Sequence, residues 1–229
     1  WYARNAEKHL KASRRAPGSL LFFNKRTEML RLPLGVVGII SPWNYPLSIP
    51  FGEIVMGLMA GNAIILKVAA ATPAVGRAIE QIVTAGELPE GLFTHVVGSG
   101  SKVATGFFEN GINKLFFTGS VPAGKTLMAQ AAQTLTPVSL ELGGNDPMIV
   151  LEDADLERAT NGAAWGGYQN AGQSCGGVER IYVVDAVYDA FVELMARKTR
   201  QLRHGVGCKA FDVDIGSLTT AGQLRPVQQ

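Results

Sequence analysis

Short apolar runs alternate with segments of helical spacing along most of this chain, and that alternation restricts the fold more than any other feature. Gly35 to Ile40, Ala63 to Leu66, Thr94 to Val97, Leu115 to Phe117 and Met148 to Leu151 are short and nearly uniformly apolar, and they predict buried strands of a largely parallel sheet. Between them Leu47 to Met59, Pro73 to Ala85, Val103 to Phe108 and Pro122 to Gln133 carry helical spacing, the second and last with Pro in the first turn, where its missing N–H is tolerated. Alternating βα units predict a doubly wound α/β fold, in which ligands bind at the carboxyl ends of the strands. Asn44, Lys67 and Gly119 each follow an apolar run and fall at that end. Glu141, in VSLELGG, follows another apolar strand, ahead of Gly143 and Gly144.

Composition narrows the function classes. With 47% hydrophobic and 17% charged residues, a chain of 229 residues can bury a large core. The net charge of +2 is spread without a basic stripe, which argues against nucleic acid as a partner. The longest apolar stretch, Ile54 to Leu66, is interrupted by Gly57, Gly61 and Asn62 and falls short of the ~20 residues a membrane span needs, so no membrane partner is expected. Two cysteines, Cys175 and Cys208, form no disulfide framework, and His9, His95 and His204 have no metal-ligand spacing with them. A reducing, cytoplasmic compartment and no metal are expected, with Cys208 structural. WYARNAEKHLKASRR reads as a helix with Trp1, Ala6 and Leu10 on one side, and residues 15–33 as an exposed two-stranded arm. The chain starts within a helix and TTAGQLRPVQQ stops in the opening of another, the pattern expected of a portion of a longer subunit.

Three residues bring chemistry. Cys175, in AGQSCGG, is flanked by Gly172, Gly176 and Gly177, so little side-chain bulk covers its sulfur. Glu141 supplies a carboxylate suited to a base at the end of a scaffold element, and Asn44, in SPWNYP, an amide donor. Taken singly, each has a plainer reading: a small buried thiol, a solvated strand end, a turn former. Residues 119–126, GSVPAGKT, match the phosphate-binding pattern G-x-x-x-x-G-K-[ST], and MIVLED further on imitates the acidic strand end that holds magnesium in nucleoside triphosphatases. A P-loop nucleoside triphosphatase is therefore a competing expectation.

Taken in order, GVVGIISPWNYPL, AGNAIILKVA, GELPEGLFTHV, KLFFTGS, LELGGNDPMIV, DADLERA, NAGQSC and ERIYV resemble the aldehyde dehydrogenase superfamily, over essentially every segment from Trp1 to Gln229. The resemblance implies an N-terminal helix over 1–14, an oligomerisation arm over 15–33, a Rossmann-like coenzyme-binding domain over 34–142 and the first part of an α/β catalytic domain over 143–229. The family's subunit is about twice this length, so the fold would be incomplete. The implied activity is oxidation of an aldehyde to a carboxylic acid with NAD or NADP, in a homodimer or homotetramer. Cys175 would form a thiohemiacetal and then a thioester, Asn44 and the Cys175 N–H would hold the oxyanion, and Glu141 would activate water. Relatives that pass the acyl group to coenzyme A lack a carboxylate at that position. For the cofactor, the resemblance points to Ile40, Ser41, Pro42 and Trp43, to Lys67 at the adenosine ribose, to Thr118, Gly119, Ser120 and Gly124 around the pyrophosphate turn, and to Leu142. Ala70 stands where many NAD-preferring relatives carry a glutamate, Lys125 would be solvated on a helix, and Tyr168 would wall the substrate pocket. A non-catalytic oligomerising fragment is a further alternative.

Overall fold

The computed structural model describes residues 1–16, 18–206 and 212–224, and Cys208 lies outside them. The chain divides into two compact units, Trp1–Glu141 and Leu142–Gln229. The first opens with helix α1 (Tyr2–Leu10) and an antiparallel pair, β1 (Ser13–Arg15) and β2 (Thr27–Met29), with Ser13 opposite Met29. It continues as β3 (Val36–Ile40), α2 (Ser48–Met59), β4 (Ala63–Lys67), α3 (Pro73–Thr84), β5 (Phe93–His95), α4 (Gly100–Glu109), β6 (Lys114–Gly119), α5 (Val121–Thr134) and β7 (Val138–Leu142).

The sheet order is β5-β4-β3-β6-β7, with β3 central and parallel to both β4 and β6. The Leu115 N–H donates to the Pro137 carbonyl at 3.0 Å, which sets the starts of β6 and β7, and so their ends, side by side. Because the chain runs outward from β3 and then crosses back to β6, the strand order reverses between those two strands. That reversal opens a crevice at their carboxyl ends. Alternation along the strands divides the packing. Val37, Ile39, Ile64 and Leu66 form one core with Ile54 of α2 and Ile79 of α3. On β3 the intervening Gly38 has Phe107 and Ile112 above it, where a Cβ would meet the Phe107 ring at 2.8 Å. The sheet is thus covered on both faces, as a nearly continuous apolar β3 requires.

The second unit is a βαβ unit followed by a helix: β8 (Asp146–Val150), α6 (Leu156–Tyr168), a 3-10 turn (Gln169–Gly172), β9 (Val178–Val183) and α7 (Asp185–Gln201). β8 and β9 pair in parallel, with Met148 opposite Ile181 and Val150 opposite Val183. Their core is small, built on Val150, Ala163 and Phe191. Asp155 caps α6 by accepting the Arg158 N–H at 3.1 Å.

Three expectations are corrected. The apolar run at Met148 to Leu151 does form a strand, but it pairs with Val178–Val183 in a sheet of its own and not in the sheet of the first unit. The N-terminal helix stops at Leu10 and does not run on to Arg15. Lys11 turns extended (φ −58°, ψ 150°), its carbonyl accepts from Arg31 at 2.9 Å, and the ladder with β2 claims Ser13–Arg15. Glu141 lies inside β7, one residue before its end, rather than beyond the strand.

Candidate active site

Several of the expected cofactor residues collect at one end of the first unit's sheet. Ile40 ends β3, and the Ser41 N–H donates to the Lys67 carbonyl at 3.0 Å, tying that end to β4. Ser41 and Thr118 are buried, one just past β3 and the other at the penultimate position of β6, and among the described residues neither hydroxyl has a hydrogen-bond partner. Such orphans carry a desolvation cost of about 1–3 kcal/mol each unless a ligand satisfies them. Lys67 is buried, and burial pushes its ammonium below the ordinary lysine range. Pro42 and Trp43 are half-buried on the loop that leaves β3, while Ala70 is exposed past β4. This arrangement lies at the strand-order reversal, and its orphaned hydroxyls and buried cation fit a long, polar, anionic group such as NAD or NADP.

The turn from β6 into α5 decides between the two readings of GSVPAGKT. A P-loop needs several loop residues wrapped around phosphate between strand and helix. Here β6 ends at Gly119, α5 begins at Val121, and only Ser120 lies between. Ser120 is the N-cap, its Oγ accepting from the Ala123 N–H at 3.4 Å. Gly124 and Lys125 therefore lie inside the helix, Gly124 buried and Lys125 exposed, and the Thr126 hydroxyl is bonded to the Pro122 carbonyl at 3.1 Å. A Cβ on Gly119 would approach the Phe117 ring at 2.5 Å, so the bare backbone of this turn is a packing requirement. The acidic strand end of MIVLED belongs to the other unit. The triphosphatase expectation fails on these points.

Asn44 is half-buried on the loop between β3 and α2, where its side-chain oxygen accepts from the Tyr45 N–H at 3.1 Å. Glu141 is exposed near the end of β7. A carboxyl that sequence reasoning missed faces it electrostatically. Glu53 lies on α2 in the stripe of Pro50, Ile54 and Gly57; Pro50 and Ile54 are buried, and a Cβ on Gly57 would approach Ile64 at 2.5 Å. Burial first, and the negative charge of Glu141 second, push the Glu53 carboxyl from 4.5 up to about 7.

Cys175 belongs to the second unit and is an exposed free thiol. α6 ends at Tyr168, and Asn170 (φ 51°), Ala171 (φ 57°) and Gly172 (φ 74°) follow in the left-handed region. Two of these are not glycine, which stores backbone strain in the approach to the thiol. The strain is held by Gln173, a buried residue missed in the sequence: its amide nitrogen donates to the Asn170 carbonyl at 2.8 Å and its oxygen accepts from the Thr219 N–H at 2.8 Å. Gly166 and Gly177 let the loop lie against the end of α6, because a Cβ on Gly166 would meet Val178 at 2.7 Å. The Tyr168 hydroxyl meets Thr199 at 3.3 Å, and Leu142 is half-buried where β7 ends. Among the described residues, no group of three or more His, Cys, Asp or Glu could hold a metal ion, and no helix is long and apolar enough to cross a membrane.

Comparison with known proteins places this geometry. The model of the aldehyde dehydrogenase family matches residues 1–229. The chain belongs to the aldehyde dehydrogenase family. It is 40% identical over 207 residues to glutarate-semialdehyde dehydrogenase of Pseudomonas aeruginosa, covering 90% of this chain and 43% of that protein. The same identity and coverage, 40%, 90% and 43%, hold for the NADP-dependent succinate-semialdehyde dehydrogenase of Escherichia coli. A crystal structure of aldehyde dehydrogenase from Brucella melitensis superposes with a TM-score of 0.92 at 35% identity, over 100% of this chain and 46% of that one. The chain thus spans less than half the length of these relatives.

Proposed function

We propose that this chain carries the coenzyme-binding region and the nucleophile of an enzyme that oxidises an aldehyde to a carboxylic acid with NAD or NADP. The observation that carries the reading is the exposed Cys175 thiol on a strained, Gln173-clamped loop, in a chain of this family whose sheet ends in unsatisfied polar groups. In the proposed reaction the Cys175 thiolate adds to the aldehyde carbon, and the amide of Asn44 with the Cys175 N–H holds the resulting oxyanion. Ser41, Lys67, Thr118, Gly119 and Ser120, with Ile40, Pro42, Trp43, Ala70, Gly124 and Leu142, are the residues proposed to hold the cofactor. The bound nicotinamide supplies the acceptor for the hydride that leaves the substrate carbon. Glu141 takes a proton from the water that attacks the thioester, which releases the acid and restores the thiol.

Water rather than coenzyme A is the proposed acceptor because a carboxylate stands at Glu141. The proposed setting is cytoplasmic, as a homodimer or homotetramer. Support for assembly comes from the segment between β1 and β2, where Leu20, Leu21 and Phe23 are 90%, 84% and 82% exposed.

The test is an aldehyde panel run on the intact protein with NAD and with NADP. Succinate and glutarate semialdehydes should be included, since relatives are named for them. Aldehyde-dependent cofactor reduction is expected, lost in Cys175→Ala while cofactor binding stays within a few-fold. Turnover that survives Cys175→Ala removes the thiol from the mechanism; cofactor binding without turnover of any aldehyde favours the non-catalytic alternative.

A further inference from the structure

We propose that Glu53 and Glu141 share a single proton on the face of the first unit's sheet that α2 covers, and that Glu53 acts through this pair as a positioning residue for the water-activating carboxylate. Glu141 is that carboxylate in the dehydrogenase reading, on which the proposal rests; the role of Glu53 goes beyond it.

Strand register shows where Glu141 stands. Val37, Ile39, Ile64 and Leu66 turn toward α2 and α3, and Phe116, which pairs with Ile39, packs against the same core. The Ser41 N–H bond to the Lys67 carbonyl extends the β3–β4 ladder by one residue, so Ser41 follows Ile39 onto that side. Ile40 pairs with Phe117, which sets Ser41 opposite Thr118. Where the Ala63 N–H donates to the Gly35 carbonyl, Ala63 pairs with Val36. By the same pattern the Leu115 N–H on the Pro137 carbonyl pairs Leu115 with Val138, and three residues on it pairs Thr118 with Glu141. Ser41, Thr118 and Glu141 thus form a row across β3, β6 and β7 at their carboxyl ends, with about 4.8 Å from strand to strand. Glu53 lies over this face, in the α2 stripe of Pro50 and Gly57 and next to Ile54 of the shared core.

Among the described residues no cation stands in that row. Ser41 and Thr118 are neutral. Lys67 points to the opposite face, because Ile64 and Leu66 take the α2 side; its Nζ lies 3.7 Å from the point where a Cβ on Gly100 of α4 would stand. Lys114 shares the α2 side but starts β6, about 13 Å of strand from Thr118, and its Nζ sits 5.3 Å from the centre of the Phe116 ring. β3 bears no titratable side chain. On α1, which packs against α2, Arg4, Glu7, Lys8 and His9 are exposed, and the Tyr2 hydroxyl comes within 3.9 Å of a Cβ position on Gly52. Two carboxylates that face each other without a counter-cation resist ionising together, and the half-buried one gives way. Burial, and then the charge of Glu141, raise the Glu53 carboxyl to about 7. Below that pH the pair carries one proton, on Glu53, and one charge, on the exposed Glu141.

The pair bears on the step that releases the acid. An O–H bond of water breaks, the oxygen bonds to the thioester carbon, the C–S bond breaks and the Cys175 thiolate leaves. The proton passes to Glu141, which makes the pair neutral until one proton is lost to solvent. Above about pH 7 Glu53 is ionised from the start, and its charge attracts the proton that Glu141 accepts. Water activation should then quicken.

A spectroscopic titration tests the pair without turnover. Infrared difference spectra of the intact protein, from about pH 5.5 to about pH 9, follow the carbonyl stretch of protonated carboxyls. The wild type should lose such a band with a midpoint near about 7, Glu53→Gln should lack that loss, and Glu141→Gln should move the midpoint down. Deacylation, followed after acylating Cys175 with 4-nitrophenyl acetate, should rise by a few-fold over the same range in the wild type. Glu53→Gln should lose the rise and Glu53→Asp, which keeps the acid, should regain it. A merely structural Glu53 would alter the rate equally at both ends of the range. A midpoint unmoved by Glu141→Gln, or a rise that survives Glu53→Gln, would overturn the proposal. Coupled titrations in a protein that forms no acyl-enzyme would uphold the shared proton and overturn the dehydrogenase reading. Aldehyde turnover with uncoupled titrations would uphold that reading and overturn the pair.

Discussion

Ionising Glu53 puts a negative charge on the inward stripe of α2 and beside the charge of Glu141, and the consequence can be read as stability. In the unfolded chain this carboxyl titrates near 4.5, whereas in the fold it titrates near about 7. A raised folded-state value means that the native state holds the proton more tightly than the unfolded state does. The stabilisation from that proton is complete below pH 4.5 and is lost as the pH rises through about 7. At about 1.4 kcal/mol per unit, the native state at pH 8 carries a penalty on the order of 3 kcal/mol from this group. Glu53→Gln removes the titration and keeps the shape. Urea unfolding of the intact protein should therefore show the variant more stable than wild type at pH 8, with the gain shrinking as the pH is lowered toward 5. Adding Glu141→Gln to the wild type should recover a smaller share of the same gain, because Glu141 is the lesser of the two causes. A Glu53→Gln gain that is the same at both pH values would show that packing, and not ionisation, accounts for it.

Helices on both faces of the first unit's sheet approach it closely enough that single glycines set the spacing. At Gly38 a Cβ would stand 2.8 Å from the Phe107 ring and 3.0 Å from the tip of Ile112, both buried. Gly38→Ala should cost about 1–3 kcal/mol, as overpacking does. Gly106 lies on the same helix α4 with nothing within 4 Å of its Cβ position, so Gly106→Ala should be neutral or stabilising by about 0.5–1 kcal/mol. Equal shifts of the two unfolding midpoints would refute this view of the β3–α4 contact. In the first unit the sheet-covering helices and the central strands were legible in the sequence because their apolar spacing is set by burial against one sheet; α2, α3 and α5 match their expected ranges to within a residue or so at each end, whereas α4 begins at Gly100, ahead of the expected Val103, and α6 and α7 were not expected. Membership of a sheet was not legible, since Met148 to Leu151 reads like the other runs and nothing local records which strand it will pair with. Val178–Val183 escaped because Glu179 and Arg180 interrupt it with two exposed charged residues, so it does not run apolar. At the site, Asn44 and Lys67 could be placed by the apolar runs they follow, although Lys67 itself closes β4. Glu53 and Gln173 could not, because a polar residue's inward direction depends on what packs above it and leaves no mark in the apolar pattern.

For the molecule as a whole, the balance of buried and exposed apolar surface differs between its two units. The first unit wraps a five-stranded sheet on both faces, yet the segment joining β1 and β2 presents Leu20, Leu21 and Phe23 almost fully to solvent. The second rests on a two-stranded sheet, and two strands with a small core are marginal by themselves. Its apolar side chains reflect that: Ile149 is 68% exposed, Trp165 69%, Tyr182 54% and Val192 45%. An open cavity of about 510 Å³ lined by Ile181, Tyr188, Phe191, Val192 and Met195 lies along α7 and β9. Isolated exposed apolar residues are ordinary on a protein surface, but contiguous ones together with free strand edges favour association. These 229 residues, expressed by themselves, should therefore associate in a concentration-dependent way and bind the dye ANS strongly. Serine at Leu20, Leu21 and Phe23 together should lower the association of the first unit's surface and leave the dye binding of the second largely in place. Light scattering across a dilution series, with ANS fluorescence on the same samples, makes the measurement. A wild-type preparation that stays monodisperse and dark to the dye throughout that series would show that these apolar faces are covered within the chain itself.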